Sequence, residues 1–425
     1  MTEALLHFIW QYQLFEKENL TTESGRVFSV LHPGVHNTHA GADFQNAQLQ
    51  LEDVRMAGNI ELHIHQRDWL AHQHGRDSAY NNTILHVVYE SDETHTTTAD
   101  GRAVEIFELK KRLSSKLLSR YAQMQENKQG IPCEKLFEQH AHGFAFEIFL
   151  ERLAIERLQQ KVSVIENLLA TTQQHWDSVA YQLVAAYLGA PINKVPFQQL
   201  TQSLPLAVLQ KHTDNLLALE ALLFGQAGFL DESFEDAYPQ TFQKEYRYLK
   251  RLHQLQPLAK SNWKFLRLRP AAFPTVRLAT LAKLLHQQPR FFASLLGIKR
   301  AKEAASLFDV TLDDYWKNHF QFDKKTTRGK ATLGESTRDI LLLNAITPLL
   351  FAYGKYKDEE DYCELAIDLL REVKAENNVI IRHWKNLHAP TQNALQTQAL
   401  LQLRTQYCDK KRCLHCTVGK NILNG

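Results

Sequence analysis

Potential metal ligands and proton-transfer groups crowd into residues 32–90. That interval holds Asp43, the alternating run Glu61-x-His63-x-His65, the pair His72-x-His74, and the carboxylates Asp68 and Asp77. Two carboxylates brought together hold Mg²⁺ or Mn²⁺ and leave coordination positions open for water and a substrate phosphate. A histidine beside them orients that water or accepts its proton. The spacing predicts a catalytic set of Asp43, Glu61 and His63, with Asp43 and Glu61 as divalent-metal ligands and His65, Asp68 and His72 in support. A second arrangement is a zinc or manganese hydrolase site drawn from His63, His65, His72 or His74 with an Asp. Its weakness is that His72-x-His74 lacks the spacing of the helical H-E-x-x-H motif.

A second group of ligands lies at the end of the chain. Cys408, Cys413 and Cys416 form C-x4-C-x2-C, and three thiols this close in a long chain without an export signal point to metal rather than disulfides. A four-ligand site needs a partner. Cys133, in the non-helical stretch GIPCEKLF, is the better fourth ligand than His415, which adjoins Cys416, or Cys363, which falls inside a helical pattern. Zinc and an iron–sulfur cluster both fit the spacing.

Charge is balanced overall, with a net of +2 over 425 residues, but unevenly spread. Between Lys244 and Lys302 the only acid is Glu245, set among fourteen Lys and Arg interleaved with aromatics. Such a stretch reads either as a nucleic-acid surface, with cations on phosphates and rings on bases, or as core-facing helices with a solvated charged face. Within it the prolines of RPAAFPTVR fix an irregular turn, and Arg267, Arg269 and Arg277 are the expected phosphate contacts.

These groups need elements to position them. Residues 2–16 read as a helix capped by Thr2, and strand patterns follow at 26–31, 47–52, 60–65, 83–89 and 103–109, with a short helix or turn at 77–82. On the strand at 60–65, Glu61, His63 and His65 share one face while Ile60, Leu62 and Ile64 take the other. From about residue 111 the period turns helical, over 144–170, 176–189, 214–227, 236–255, 275–287, 334–354, 358–376 and 391–407. Segment 323–335 reads as a mobile basic loop, and the cysteine-rich tail shows no helical period. The expectation is an α+β protein: residues 1–115 an α/β domain with a central mixed sheet, residues 116–425 a larger α-helical region ending in the metal-binding tail. The first twenty residues lack a signal peptide, and no apolar run approaches the roughly 20 residues that span a bilayer, so a cytoplasmic protein without membrane partners is expected.

The lone Asp43 ahead of one strand and Glu61-x-His63 on the next resemble the PD-(D/E)XK nuclease superfamily, whose pattern is an Asp opening one strand, a Glu two residues before a Lys on the next, and an acid on a preceding helix. The resemblance implies Asp43 and Glu61 as metal-binding acids, His63 in the lysine position and Glu3, with Glu16 as the alternative, as the helix acid. Two departures stand out: Ala42 replaces the usual Pro, and His63 is no permanent cation. The cysteine arrangement resembles the iron–sulfur staple of some helicase-associated members of that superfamily. Over nearly the whole chain, HPGVHN, GADFQNA, GNIELHIHQRDWLAHQH, YNNTILHVV, RPAAFPTVRLA and the terminal C-x4-C-x2-C resemble a bacterial family defined only as a domain of unknown function, which implies no activity. The expected function is a divalent-metal-dependent nuclease or nuclease-like protein acting on DNA or RNA. The alternative is a non-enzymatic interaction or scaffold protein whose histidine-rich sheet is structural.

Overall fold

Thr2 ends the extended N-terminus and caps helix α1 (Glu3–Tyr12), its hydroxyl accepting from the Leu5 N–H at 3.2 Å. Leu5, Leu6, Phe8, Ile9 and Trp10 bury one side of α1, and Gln13 stops it in the left-handed region at φ 55°. A computed structural model describes residues 1–92, 95–126, 130–327 and 332–425.

Seven strands follow: β1 (Leu20–Thr21), β2 (Val27–His32), β3 (Val35–His36), β4 (Phe44–Leu51), β5 (Val54–His65), β6 (Thr83–Glu90) and β7 (Glu105–Glu108). They form one mixed sheet in the order β1-β2-β4-β5-β6-β7, with β3 pairing β4. Pairing is antiparallel from β1 to β5 and parallel for β5–β6 and β6–β7. The expected sequence of helix, three main strands, helical turn and strand is the one observed, and the last strand proves parallel to β5; the two-residue strands β1 and β3 are additions too short to show a period. The β5–β6 crossover is compact: helix α2 (Asp68–Ala71) and two 3-10 turns, His74–Arg76 and Ser78–Tyr80. Gly58 lets β6 approach closely, since a Cβ there would sit 2.4 Å from Ile84 Cγ2 and 2.6 Å from the Asn82 carbonyl.

The chain divides into two units, Met1–Glu147 with Leu403–Gly425, and Ile148–Gln402. The first unit is therefore larger than the expected 1–115 domain. Beyond β7, helix α3 (Ser115–Glu126) buries Leu117 and Met124, and Ile131 and Phe137 follow them into the same core. The tail adds an unexpected helix, Thr417–Asn424, that buries Val418, Ile422 and Leu423. Its eight residues hold too few turns for the pattern to stand out.

Among the described residues, the regular elements of the second unit are helices apart from a short hairpin, His319–Gln321 with Lys324–Lys325. Leu216–Gln226 is buried from Ala218 onward on every side, and Pro274–Gln287 nearly so. The helix beginning at Glu335 contains a π turn, Leu342–Ile346, before continuing to Lys357. Lys194–Ser203 and Val379–Asn386 are helices that the sequence reading left unassigned. Of the 323–335 loop, residues 328–331 lie outside the described residues; Thr332 bridges to Thr311. Among the described residues no helix is long and apolar enough to cross a membrane.

Candidate metal centre

The site is set by an irregularity in the β4–β5 ladder. Ala47 pairs with Gly58, but Phe44 pairs with Ile60, so the register slips by one residue between them. Asn46 makes the slip by adopting φ 57°, a left-handed conformation that asparagine tolerates, and its N–H reaches Asn59 Oδ1 at 3.4 Å. In the uninterrupted register Asp43 would face Leu62, whose side chain belongs to the opposite side of the sheet. After the slip Asp43 lies opposite Glu61, and directly opposed residues share a face. The two are tied reciprocally: the Asp43 N–H donates to Glu61 Oε2 at 3.1 Å, and the Leu62 N–H donates to Asp43 Oδ2 at 2.9 Å.

Histidines close around this pair. His63 Nε2 lies 3.6 Å and His74 Nε2 3.2 Å from Glu61 Oε1, while His7 Nε2, from α1, lies 3.2 Å from Asp43 Oδ2. The His7 and His74 nitrogens are buried and meet no hydrogen-bond geometry, so each sits against a carboxylate oxygen off the bonding axis. His63 Nε2 is 3.0 Å from His72 Nδ1, and the ligand nitrogens of His63, His72 and His74 all lie within 4.8 Å of one another. Behind them His63 Nδ1 is 2.9 Å from His86 Nε2, and His86 Nδ1 is 3.3 Å from Thr96 Oγ1. His86 is there because parallel β6 pairs it with Glu61. The His74 ring is held between Tyr80, at 3.9 Å, and His63, at 5.2 Å.

The electrostatics separate the two acids. Burial works to raise the Asp43 carboxyl, but His7 beside it and the Leu62 N–H hold it below the usual range. Burial and then the Asp43 charge push Glu61 up, with His74 only partly offsetting them. Burial, followed by His74 and His72, brings His63 down to about 4, and buried His86 falls well below its usual value. His7 goes the other way: burial disfavours its charge, and Asp43, Glu3 and Glu61 outweigh that. The centre thus offers an ionised carboxylate, neutral imidazoles and one imidazole favoured as a cation.

The structure brings Asp43, Glu61, His63 and His72 together. Glu3 is exposed in the first turn of α1 and reaches the cluster only through its charge on His7. Asp68 Oδ2 accepts from the His65 N–H at 3.0 Å, so these two fasten the start of the crossover. His74, expected only in the second arrangement with an Asp, instead meets Glu61, and His7 was missed; the one sequence sign for His7 is a polar residue interrupting the apolar run from Leu5 to Trp10. In the second unit Arg267 and Arg269 are exposed, but Arg277 is buried in Pro274–Gln287, its guanidinium donating to Thr337 Oγ1 at 3.0 Å. Burial lowers its pKa to about 10. Arg277 faces the core because its helix is apolar around most of its circumference, which corrects its reading as a phosphate contact.

No curated protein and no solved structure matches this chain. A family profile described as "Protein of unknown function (DUF2851)" matches residues 3–379, and the chain belongs to that family.

Proposed function

We propose that the first unit is a divalent-metal-dependent phosphodiesterase, a nuclease or nuclease-like enzyme, with Asp43 and Glu61 holding the ion. The observation that carries this is the slipped register that sets the two carboxylates face to face, each with a buried imidazole nitrogen 3.2 Å from one of its oxygens and no hydrogen bond between them. Ligands at adjacent corners around an ion bonded at about 2.1 Å stand about 3 Å apart, so the 3.2 Å between His74 Nε2 and Glu61 Oε1 suits a shared ion, while His7 stays outside it as the cation beside Asp43. A bound ion would neutralise phosphate charge and supply an activated water. Asp43, ionised, and Glu61 anchor it. His63, neutral and backed by His86, suits a ligand or orienting role better than that of a general base, because a group with a pKa of about 4 holds a proton weakly at neutral pH. His7, partly exposed and favoured as a cation, is the better candidate to meet a phosphate oxygen or protonate a leaving group. Exposed Arg267 and Arg269 are proposed phosphate contacts on the second unit.

The test is Mn²⁺-dependent cleavage of single- and double-stranded DNA and RNA by the full chain. Asp43→Ala and Glu61→Ala are expected to lower it by at least about 100-fold with the fold intact by circular dichroism; cleavage retained in both sinks the proposal. The triad of His63, His72 and His74 favours a second reading, a zinc or manganese hydrolase of another ester. That reading expects copurified zinc or manganese, lost in His72→Ala, and no nucleic-acid cleavage.

A further inference from the structure

Apart from the histidine centre and the small cavity of the first unit lined by Cys133, Cys408, Cys413 and Cys416, the described residues enclose a groove of about 800 Å³ in the second unit. Three helices line it: Phe144–Thr171, Thr347–Lys357 and Glu360–Glu372. Its apolar lining is Ile155, Phe351, Cys363 and Ile367. The last two helices form a hairpin that Gly354 lets close, since a Cβ there would meet Cys363 Sγ and the Glu359 carbonyl at 2.8 Å. The Cys363 thiol then donates to the Phe351 carbonyl at 3.6 Å, which fixes both residues at the floor. Ile148, seven residues before Ile155 and on the same helical face, continues the apolar surface outward and is 54% exposed.

Carboxylates rim this floor. The Arg371 guanidinium is matched by Glu151 at 2.9 Å and Asp368 at 2.6 Å. Asp358, Glu360 and Glu364 are exposed and, among the described residues, form no ion pair; Lys355 is the other cation of the lining. An apolar floor under unmatched negative charge suits an amphipathic helix whose outer face mixes apolar and basic side chains.

The chain itself carries such a helix. Ala237–Leu252 buries Pro239, Phe242, Tyr246 and Leu249 and turns its opposite face outward. On that face Tyr248 is 63% and Leu252 53% exposed, with exposed Lys244, Arg247 and Arg251 beside them. At 3.6 residues per turn these five fall within one arc of about 140°. Between Lys244 and Lys302 the ion pairs among the described residues are Lys260–Glu232 and Lys283–Asp313, so the three cations are unmatched. Groove and helix face are both exposed in one chain, and each has the charge the other lacks. We propose that the acidic groove of one chain takes the basic face of Ala237–Leu252 from a second copy. Glu360 and Glu364 then meet Arg247 and Arg251, while Tyr248 and Leu252 lie on the apolar floor. The contact is head to tail, so every added copy brings one groove and one helix. It is independent of Asp43 and Glu61.

The test is sedimentation equilibrium of the full chain over a range of concentrations. The expected mass rises above that of one chain as concentration increases. Association should weaken between about 0.1 M and about 1 M salt, which shortens the Debye length from about 10 Å to about 3 Å. Glu360→Lys with Glu364→Lys should weaken it at least about tenfold, and so should Arg247→Glu with Arg251→Glu. An equimolar mixture of the two double variants should assemble again, because each offers the other a groove and a helix of opposite charge. All four side chains are exposed, and circular dichroism should show both variants folded. A wild-type mass of one chain at about 0.1 mM overturns the proposal, whatever basic peptide the groove binds. So do association insensitive to salt, association that survives the double variants, and a mixture that stays monomeric. If a variant is unfolded, the wild-type mass and its salt dependence decide alone.

Discussion

Buried ionisable side chains show at the residue scale how surroundings reassign chemistry. His63 and His7 are the same residue type within one cluster, yet His63 is driven neutral by burial and neighbouring imidazoles while His7 is held toward the charged form by Asp43. A comparable case stands away from the site. Glu220 is buried on Leu216–Gln226, accepts from the Tyr238 hydroxyl at 3.0 Å, and has its pKa raised by burial to about 8. The unfolded carboxyl titrates near 4.5, so between pH 4.5 and 8 the folded state retains a proton that the unfolded state has lost. Stability from this group is therefore fullest below pH 4.5 and falls as pH rises toward 8, by up to about 1.4 kcal/mol per pH unit. Glu220→Gln keeps the acceptor without the charge. It should raise the unfolding temperature at pH 8 and change it little at pH 5; equal shifts at both pH values would show that the carboxyl titrates normally.

At the element scale the β4–β5 ladder decides which side chains share a face. The slip at Asn46 is a one-residue feature with a whole-site consequence, because it turns Asp43 toward Glu61. Asn46→Gly should keep the left-handed turn and the site. Asn46→Val forces a β-branched residue into that region at a cost of about 1–3 kcal/mol, and relief by restoring the regular register would turn Asp43 away. The expected outcome is a lower unfolding midpoint together with weaker Mn²⁺ binding by calorimetry for valine and neither for glycine. If valine leaves Mn²⁺ binding unchanged, the slip does not position the centre.

At the scale of the whole molecule, the last 23 residues belong to the unit that begins the chain. Ile422 is fully buried there, and its carbonyl accepts from the Arg120 guanidinium on α3 at 2.8 Å. Ile422→Ala should cost about 2–5 kcal/mol, read as faster proteolysis of the first unit than of the second. Equal cleavage of both would detach the tail from the stability of the N-terminal sheet.

The sequence by itself determined what depends on neighbours along the chain. The period-2 face of Glu61, His63 and His65, the long amphipathic helices, the Thr2 cap and the C-x4-C-x2-C spacing are local patterns, and they were legible. So was the order of the main elements of the first sheet. Tertiary structure decided what depends on residues meeting across the fold. The slipped register that aligns Asp43 with Glu61, the arrival of His7 from α1 and of His74 from the crossover, and the placement of His86 by a parallel strand all rest on pairings that no local period encodes. Arg277 was misread for the same reason: in a basic, proline-framed stretch it reads as a phosphate contact until its helix is seen buried on nearly every side. The tail's return to the N-terminal unit was likewise invisible, because its few buried apolar residues acquire meaning only against a core assembled some 300 residues earlier.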